Sequence, residues 1–398
     1  MKIVIHDYAG HPFQFDLSKE LCKHYNDVWH IYSNSSGGPK TGFNIPSQTN
    51  NLVVKDINIG EVQKLNFFKR FLQEYKYGKE LCSYLDTIKP DVIISANTPL
   101  PAQYQLWQFS KKHNSKFIFW LQDIISVAAK NILSKKYFIL GDFVSKILNI
   151  VEKRILQNSD YIITIADGFN DVLNQWNIKK NYLTIPNWSP IEEIKILPKE
   201  NEFSGIYKLQ DTFNIIYSGT MGFKHNPDLI FSSAKQLREY RDIKFIVISE
   251  GQGADYLKNK LNESPLPNLE ILPFQKWEIF SDVLSTADIL LTILEADAGI
   301  FSVPSKVWSG YCSARPSLLV VPAENLAAKI TKRINAGIIV DSYNPKDIVE
   351  NILKLKNNKK LSTLMGENAR RYAEENFKIE SIAQKFMSII DTQLNGTN

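Results

Sequence analysis

Short apolar runs recur along this chain, separated by longer stretches whose apolar residues fall at helical spacing. Lys2–His6, Asp27–Tyr32, Asn51–Asp56, Pro90–Ser95, Lys116–Leu121, Asp160–Ile165 and Tyr182–Pro186 each hold consecutive Val, Ile, Phe or Leu bounded by polar or turn-forming residues. Continuous runs of this length are the mark of strands covered on both faces of a parallel sheet. The pattern resumes with Phe213–Ser218, Lys244–Ser249, Asn268–Pro273, Asp288–Leu294, Ser317–Val321 and Ala336–Val340. Between them, helices are predicted over Asp16–Tyr25, Val62–Tyr84, Pro101–His113 and Lys135–Leu156, and the tail 368–393 reads as two helices broken near Phe377. Strand and helix in alternation predict an α/β protein with parallel sheets. The charged, proline-containing segment that follows Pro190, up to about Gln210, reads as a linker. No apolar run reaches the roughly 18 residues of a membrane span. The start, MKIVIHDYAG, reads as a first strand and lacks the apolar core and cleavage site of a signal peptide.

A chain of 398 residues is too long for one ordinary core and is expected to form two domains. Its 44% hydrophobic content is that of a globular protein, which excludes disorder as the default. Cys22, Cys82 and Cys312 are odd in number and widely spaced. They suggest neither a disulfide framework nor a zinc site, and they point to a reducing, cytoplasmic compartment. Residues 1–190 hold 22 Lys and Arg against 16 Asp and Glu, a net +6, which leaves 25 against 26, or −1, for the remainder. Two segments of this basic half mix cations with aromatic and aliphatic residues. One carries Phe67, Phe68, Phe71, Leu72 and Tyr75 beside Lys69, Arg70, Lys76 and Lys79; the other carries Tyr137, Phe138, Phe143 and Ile147 beside Lys146 and Lys153. Such helices suit an anionic membrane surface. They suit an ordinary core-covering face as well, and both readings stay open here.

The candidate chemistry lies in the second half. After the strand Asp288–Leu294 comes a loop rich in Gly and Ala, then Pro304-Ser305-Lys306, a short helix, and Ala314-Arg315-Pro316 before the next strand. Proline costs nothing in the first turn of a helix and Ser is a good N-cap, so the free N–H groups here can receive an anion, with Lys306 adding a charge. About 80 residues earlier, Gly219-Thr220-Met221-Gly222-Phe223-Lys224-His225 directly follows a strand. Glycines at that point let backbone N–H groups approach a diphosphate, and Lys224 supplies charge. Glu250-Gly251-Gln252-Gly253 follows the next strand. The first loop, Asp7–Phe13, holds only Gly10 where a dinucleotide site has G-x-G-x-x-G, so NAD is not expected. No D-x-D pair stands at a strand end of the second half, although Glu295 and Asp297 come near, and no metal is expected.

The order strand, P-S-K, helix, A-R-P, strand resembles the donor-binding region of family-4 retaining glycosyltransferases of the GT-B fold, particularly those of bacterial O-antigen and capsule clusters. Pro186-Asn187-Trp188 is similar to the segment that closes the first lobe in that family. The resemblance implies two Rossmann-like domains facing each other across a cleft: an acceptor-binding domain over residues 1–190, a nucleotide-sugar-binding domain over 191–375, and a C-terminal helix over 376–398 that packs back on the first. It implies transfer, with retention, of a sugar such as an N-acetylhexosamine or deoxy-hexosamine from a UDP-sugar, without metal or cofactor. The acceptor would be a lipid-linked or polysaccharide glycan at the inner face of the plasma membrane, and nucleic acid is not among the expected partners. The donor-binding residues implied are Gly219, Thr220, Gly222, Lys224, Gly251, Phe274, Pro304, Ser305, Lys306 and Ser309, with Glu295 as an added acidic candidate. Asp123 and His11 are the catalytic candidates on the acceptor side, where His6, Asp7 and Phe13 also lie; a carboxylate capping the next helix is the alternative for Asp123. The chain departs from the family pattern at three donor-side points: Ser309 and Phe301 stand where relatives have glutamates, and Thr220 where they have arginine. Gln122-Asp123 replaces a frequent His-Asp. Two alternatives follow, a UDP-sugar 2-epimerase of the same architecture and a non-catalytic sugar-nucleotide-binding subunit.

Overall fold

The computed structural model describes residues 1–35, 51–60, 62, 67–127, 129–130, 138–296 and 302–395. The chain forms two compact units, one of Met1–Asn187 with Ile379–Asn398 and the other of Trp188–Lys378.

The first unit is built on β1 (Lys2–Asp7), β2 (Asp27–Ser33), β3 (Leu52–Ile57), β4 (Val92–Ala96), β5 (Lys116–Leu121), β6 (Tyr161–Thr164) and β7 (Tyr182–Thr184). They lie parallel in the order β3-β2-β1-β4-β5-β6-β7. The order reverses direction between β1 and β4, and the carboxyl ends of strands at such a switch point are where ligands gather in open α/β sheets. The strands Val92–Ala96 and Lys116–Leu121 are almost wholly buried, as runs covered on both faces should be. The first helix covers Pro12–Leu21, four residues ahead of the predicted start, because Pro12 occupies its first turn directly after His11. The last helix, Ile379–Asn395, packs against Pro12–Leu21, with Phe386 and Trp120 in edge contact at 4.8 Å between ring centroids.

The second unit carries β8 (Phe213–Ser218), β9 (Ile243–Ile248), β10 (Leu269–Leu272), β11 (Ile289–Ile293), β12 (Ser317–Val320) and β13 (Gly337–Val340), again all parallel, in the order β10-β9-β8-β11-β12-β13. Its switch point falls between β8 and β11. Ile215, Tyr217, Phe245, Val247, Ile289, Leu291 and Leu318 from these strands join one core with Leu229, Ile230, Leu257, Ile352 and Leu355 from the covering helices. The segment read as a linker is instead an ordered part of this unit. Ile191, Ile194, Phe203 and Leu209 are buried at spacings that look polar in sequence only because charged residues fill the positions between them. Lys199 fixes it further by donating to the Thr212 carbonyl and the Asp288 carboxylate, both at 2.5 Å.

Candidate functional site

In the second unit, β8 ends in Ser218 and the chain turns at Gly219, whose φ of +129° is a conformation that side-chain-bearing residues rarely adopt. The turn is held from several sides. Gly219 N–H donates to the Ile248 carbonyl, Ser249 Oγ donates to the Gly219 carbonyl at 2.7 Å, Tyr217 Oη donates to the Thr220 carbonyl at 3.0 Å, and Met221 N–H donates to the Glu250 carbonyl. Gly251 and Gly253 face this turn. A side-chain carbon at either would come within 3.0 Å of the Met221 carbonyl oxygen or nearer to the Met221 side chain, so Gly251, expected as a donor-binding residue, here permits the close approach of two backbones. Gly222 N–H donates to His225 Nδ1 at 2.9 Å, so the ring, and not an anion, takes this amide. Burial, with the charges of Lys306 and Lys224 behind it, lowers the His225 pKa to about 2, and the ring stays neutral.

Lys306 reaches the same turn from the start of the helix that follows β11 in sequence. A carbon added at Gly219 would lie 3.1 Å from Lys306 Cε and 3.3 Å from Nζ. The amine sits 3.7 Å above the centroid of the Tyr217 ring, and among the described residues nothing accepts a hydrogen bond from it. Burial first, and the neighbouring Lys224 second, hold its pKa well below the ordinary lysine value. Lys224 is exposed at the rim, where its carbonyl accepts from Glu295 N–H at 2.8 Å.

Several predicted residues take roles other than those expected. Ser305 has helical backbone angles and makes no side-chain cap, and the helix after it, Lys306–Cys312, is only seven residues long. The anion site expected at this place therefore has the Lys306 side chain but no capped helix start. Pro304 is half-buried and accepts from Val307 N–H. Glu295 accepts from the Asn226 amide, which in turn caps the helix Pro227–Gln236, so its carboxylate closes the turn. Ser309 shares a hydrogen bond of 3.0 Å with Ser189 and lines a small cavity of about 20 Å³, the space of a single water, with Lys306, Ser218, Phe280 and Leu290. Phe274 is half-buried just past β10, and Thr220 is exposed. Phe301 and Asp297 lie outside the described residues.

In the first unit, Asp7 at the end of β1 is fully buried and accepts from Ala9 N–H, His11 N–H and Asn97 Nδ2. His11 Nδ1 lies 3.4 Å from Asp7 Oδ1 while the His11 side chain stays about one-third exposed. Burial works to lower the His11 pKa, but the charge and hydrogen bond of Asp7, with Asp123 adding to them, raise it above the ordinary value. His11 and Asp123 thus sit within electrostatic reach of each other. Asp123 is exposed, and the N–H groups of Ile125 and Ser126 just after it go to the buried carboxylate of Glu152, both at 2.9 Å. Gln122 forms a reciprocal amide pair with Asn187. His6 is a core residue, bonded to Ser95, Thr98 and Tyr77 and pushed down to about 3 by burial, and Phe13 is buried as well.

The helix Phe67–Ile88 buries Tyr77, Leu81 and Leu85 and exposes Phe68, Phe71, Leu72 and Tyr75; the helix Phe138–Asn158 buries Ile155 and Leu156 and exposes Phe143, Ile147 and Ile150. Tyr137 lies outside the described residues. Among the described residues no helix is long and apolar enough to cross a membrane, and no group of three His, Cys, Asp or Glu comes together as a metal site.

No family model matches the chain. It is similar to the uncharacterized glycosyltransferase MJ1069 of Methanocaldococcus jannaschii, 20% identical over 352 residues that cover 86% of this chain and 83% of that one. Among solved structures it is similar to sucrose-phosphate synthase from Thermosynechococcus elongatus, at 13% identity and a TM-score of 0.75 over 100% of both chains. It is also similar to HepE of Anabaena in complex with UDP-glucose, at 12% identity and a TM-score of 0.73 over 98% of this chain and 100% of that one. The α/β fold of two parallel-sheet, Rossmann-like units is the one these enzymes share.

Proposed function

We propose that the chain is a glycosyltransferase that takes a nucleotide sugar, a UDP-sugar, in its second unit. The observation that carries the reading is the enclosed Lys306 amine, aimed at a glycine turn at the β8/β11 switch point and left without an acceptor by the described residues. A diphosphate would supply that acceptor, and Lys224 stands at the rim to share the charge. Sugar transfer needs most help where charge develops, on the oxygens of the departing diphosphate, and two lysines placed beforehand provide it. The likeness to HepE with UDP-glucose supports the donor class.

On the acceptor side, the reading assigns His11, oriented by Asp7, and Asp123 to the incoming hydroxyl. Retention and an amino-sugar donor belong to the same proposal and rest on the family resemblance; the absence of a metal requirement belongs to it too and rests on the lack of a D-x-D pair at a strand end of the second half. The exposed Phe68, Phe71 and Leu72 beside Lys69 and Arg70, and the exposed Phe143, Ile147 and Ile150 beside Lys146, support a lipid-linked acceptor at an anionic membrane surface. The test is release of nucleoside diphosphate from a panel of sugar nucleotides, with and without lipid-linked acceptor, by wild type and Lys224→Ala. Acceptor-dependent release that falls in the variant supports transfer. Sugar nucleotide bound but never cleaved would favour the non-catalytic binding subunit, to which Ser309 lends weight through its bond to Ser189.

A further inference from the structure

A buried ammonium without an acceptor is costly, because removal from water penalises each ion by several kcal/mol. Lys306 Nζ is in that position among the described residues. The face of Tyr217, 3.7 Å from the amine, offsets only part of that penalty. The groups that face the amine from each packed element do little more. From β8, the Tyr217 phenol is held protonated by burial. From the turn after Gly222, Lys224 adds a second positive charge, and the neutral His225 ring spends its Nδ1 on Gly222. From β11 and the helix Phe280–Thr286, the cavity receives Leu290, Thr292, Phe280 and Leu284, and from its own helix Ser309 is turned to Ser189. Glu295, beyond the turn, is engaged by Asn226. Among the described residues no carboxylate lines this cavity.

We propose that Lys306 is a neutral amine before the donor binds and takes one proton from solvent as the diphosphate enters, so that donor binding is coupled to proton uptake. The inference rests on the reading of this place as a diphosphate site and adds its pH response. The proton balance is simple: the amine becomes an ammonium, the anion becomes its partner, and no covalent bond changes. Burial already lowers the free amine's pKa, and the bound anion raises it again. Affinity for a fully ionised diphosphate then falls by up to about tenfold per pH unit above the free-state pKa, until the bound-state pKa is passed.

Calorimetric titration with UDP near pH 8 tests this, because a terminal phosphate with a second pKa of about 6 is already ionised there and any proton taken up belongs to the protein. Repeated in buffers of different ionisation enthalpy, wild type should show a buffer dependence that corresponds to about one proton taken up per UDP. Lys306→Arg, whose guanidinium keeps its charge, should bind with no buffer dependence, and Lys306→Met should bind more weakly, also with none. If Lys306→Arg fails to fold, as a thermal melt will show, the wild-type slope and Lys306→Met still decide. UDP binding by wild type with no proton uptake overturns the inference and leaves the donor site standing. An unchanged slope in Lys306→Met overturns it too, by placing the proton elsewhere. Failure of UDP to bind at all removes the donor-site reading and the inference together.

Discussion

Replacing Gly219 and Gly222 by alanine separates two glycines that look alike in sequence. At Gly219, φ is +129°, and the backbone strain of a non-glycine residue in such a region is about 1–3 kcal/mol. The new methyl would also lie 3.1 Å from Lys306 Cε and 3.3 Å from Nζ, closer than ordinary contacts, so the lysine end must give way from its seat on Tyr217. At Gly222, φ is −101°, and nothing stands within 4 Å of the added carbon. Gly222→Ala should therefore stay within about 0.5 kcal/mol of wild type. Thermal unfolding reads the difference, at about 2–4 °C per kcal/mol for a unit of this size. Titration with UDP gives the second readout. Gly219→Ala should lose a good part of one charge-assisted contact, roughly 1.5–3 kcal/mol, and Gly222→Ala almost none, since His225 already holds that amide. Equal effects of the two changes on both readouts, or a harmless Gly219→Ala, would refute the reasoning.

Ser309→Glu should lower stability by about 1–3 kcal/mol without tightening UDP, because the added atoms must enter a cavity with room for one water and break the bond to Ser189. Tighter UDP binding at an unchanged melting temperature would show that the side chain has another way out. His6 and His30 are held neutral, at about 3 and about 4, by burial. An unfolded histidine takes its proton near 6.5, so the contribution of these two to the stability of the first unit is complete above that pH and falls below it, by about 1.4 kcal/mol per pH unit for each histidine until the folded pKa is reached. A urea midpoint that does not move between pH 6.5 and 4.5 contradicts this. Flotation with anionic liposomes should succeed at low salt and weaken at high salt. Replacing Phe68 and Phe143 by Ser should abolish it, and recovery of the wild type only in the soluble fraction under both conditions would rule the membrane surface out.

Much of the scaffold is legible along the chain because buried parallel strands leave continuous apolar runs. Val92–Ala96 and Ile289–Ile293 stand inside the predicted Pro90–Ser95 and Asp288–Leu294 to within a residue or two. The glycine turn and Lys306 are legible for a similar reason, since a turn that needs positive φ and a lone cation after a strand both mark the local sequence. What surrounds them leaves no local mark. The seat of Lys306 on Tyr217 joins residues 89 positions apart, the bond of Ser309 to Ser189 spans 120 positions, and neither pairing has a spacing rule. The His225 ring on the Gly222 amide is close in sequence, yet a histidine three residues after a glycine signals nothing until φ and ψ are fixed. The segment after Pro190 misled for another reason: its apolar residues are spaced irregularly and buried by packing alone, with charged residues at the surface positions between them.

The helix Ile379–Asn395 belongs to the first unit although it is encoded after the whole of the second. Residues 188–378 must leave the ribosome before it does, an interval of about 10 to 40 s at 5–20 residues per second. Throughout that time the sides of Pro12–Leu21 and of the Trp120 ring that meet this helix lack its cover. The second unit, continuous in sequence, can complete its sheet first. A nascent chain of this protein therefore carries a finished C-terminal half beside an N-terminal half with an uncovered apolar face, and it is in this interval that a chaperone would matter most. A stop codon shortly before Ile379 would make that condition permanent: the strands and the other helices of the first unit would all be present, and the one that covers Pro12–Leu21 would never arrive.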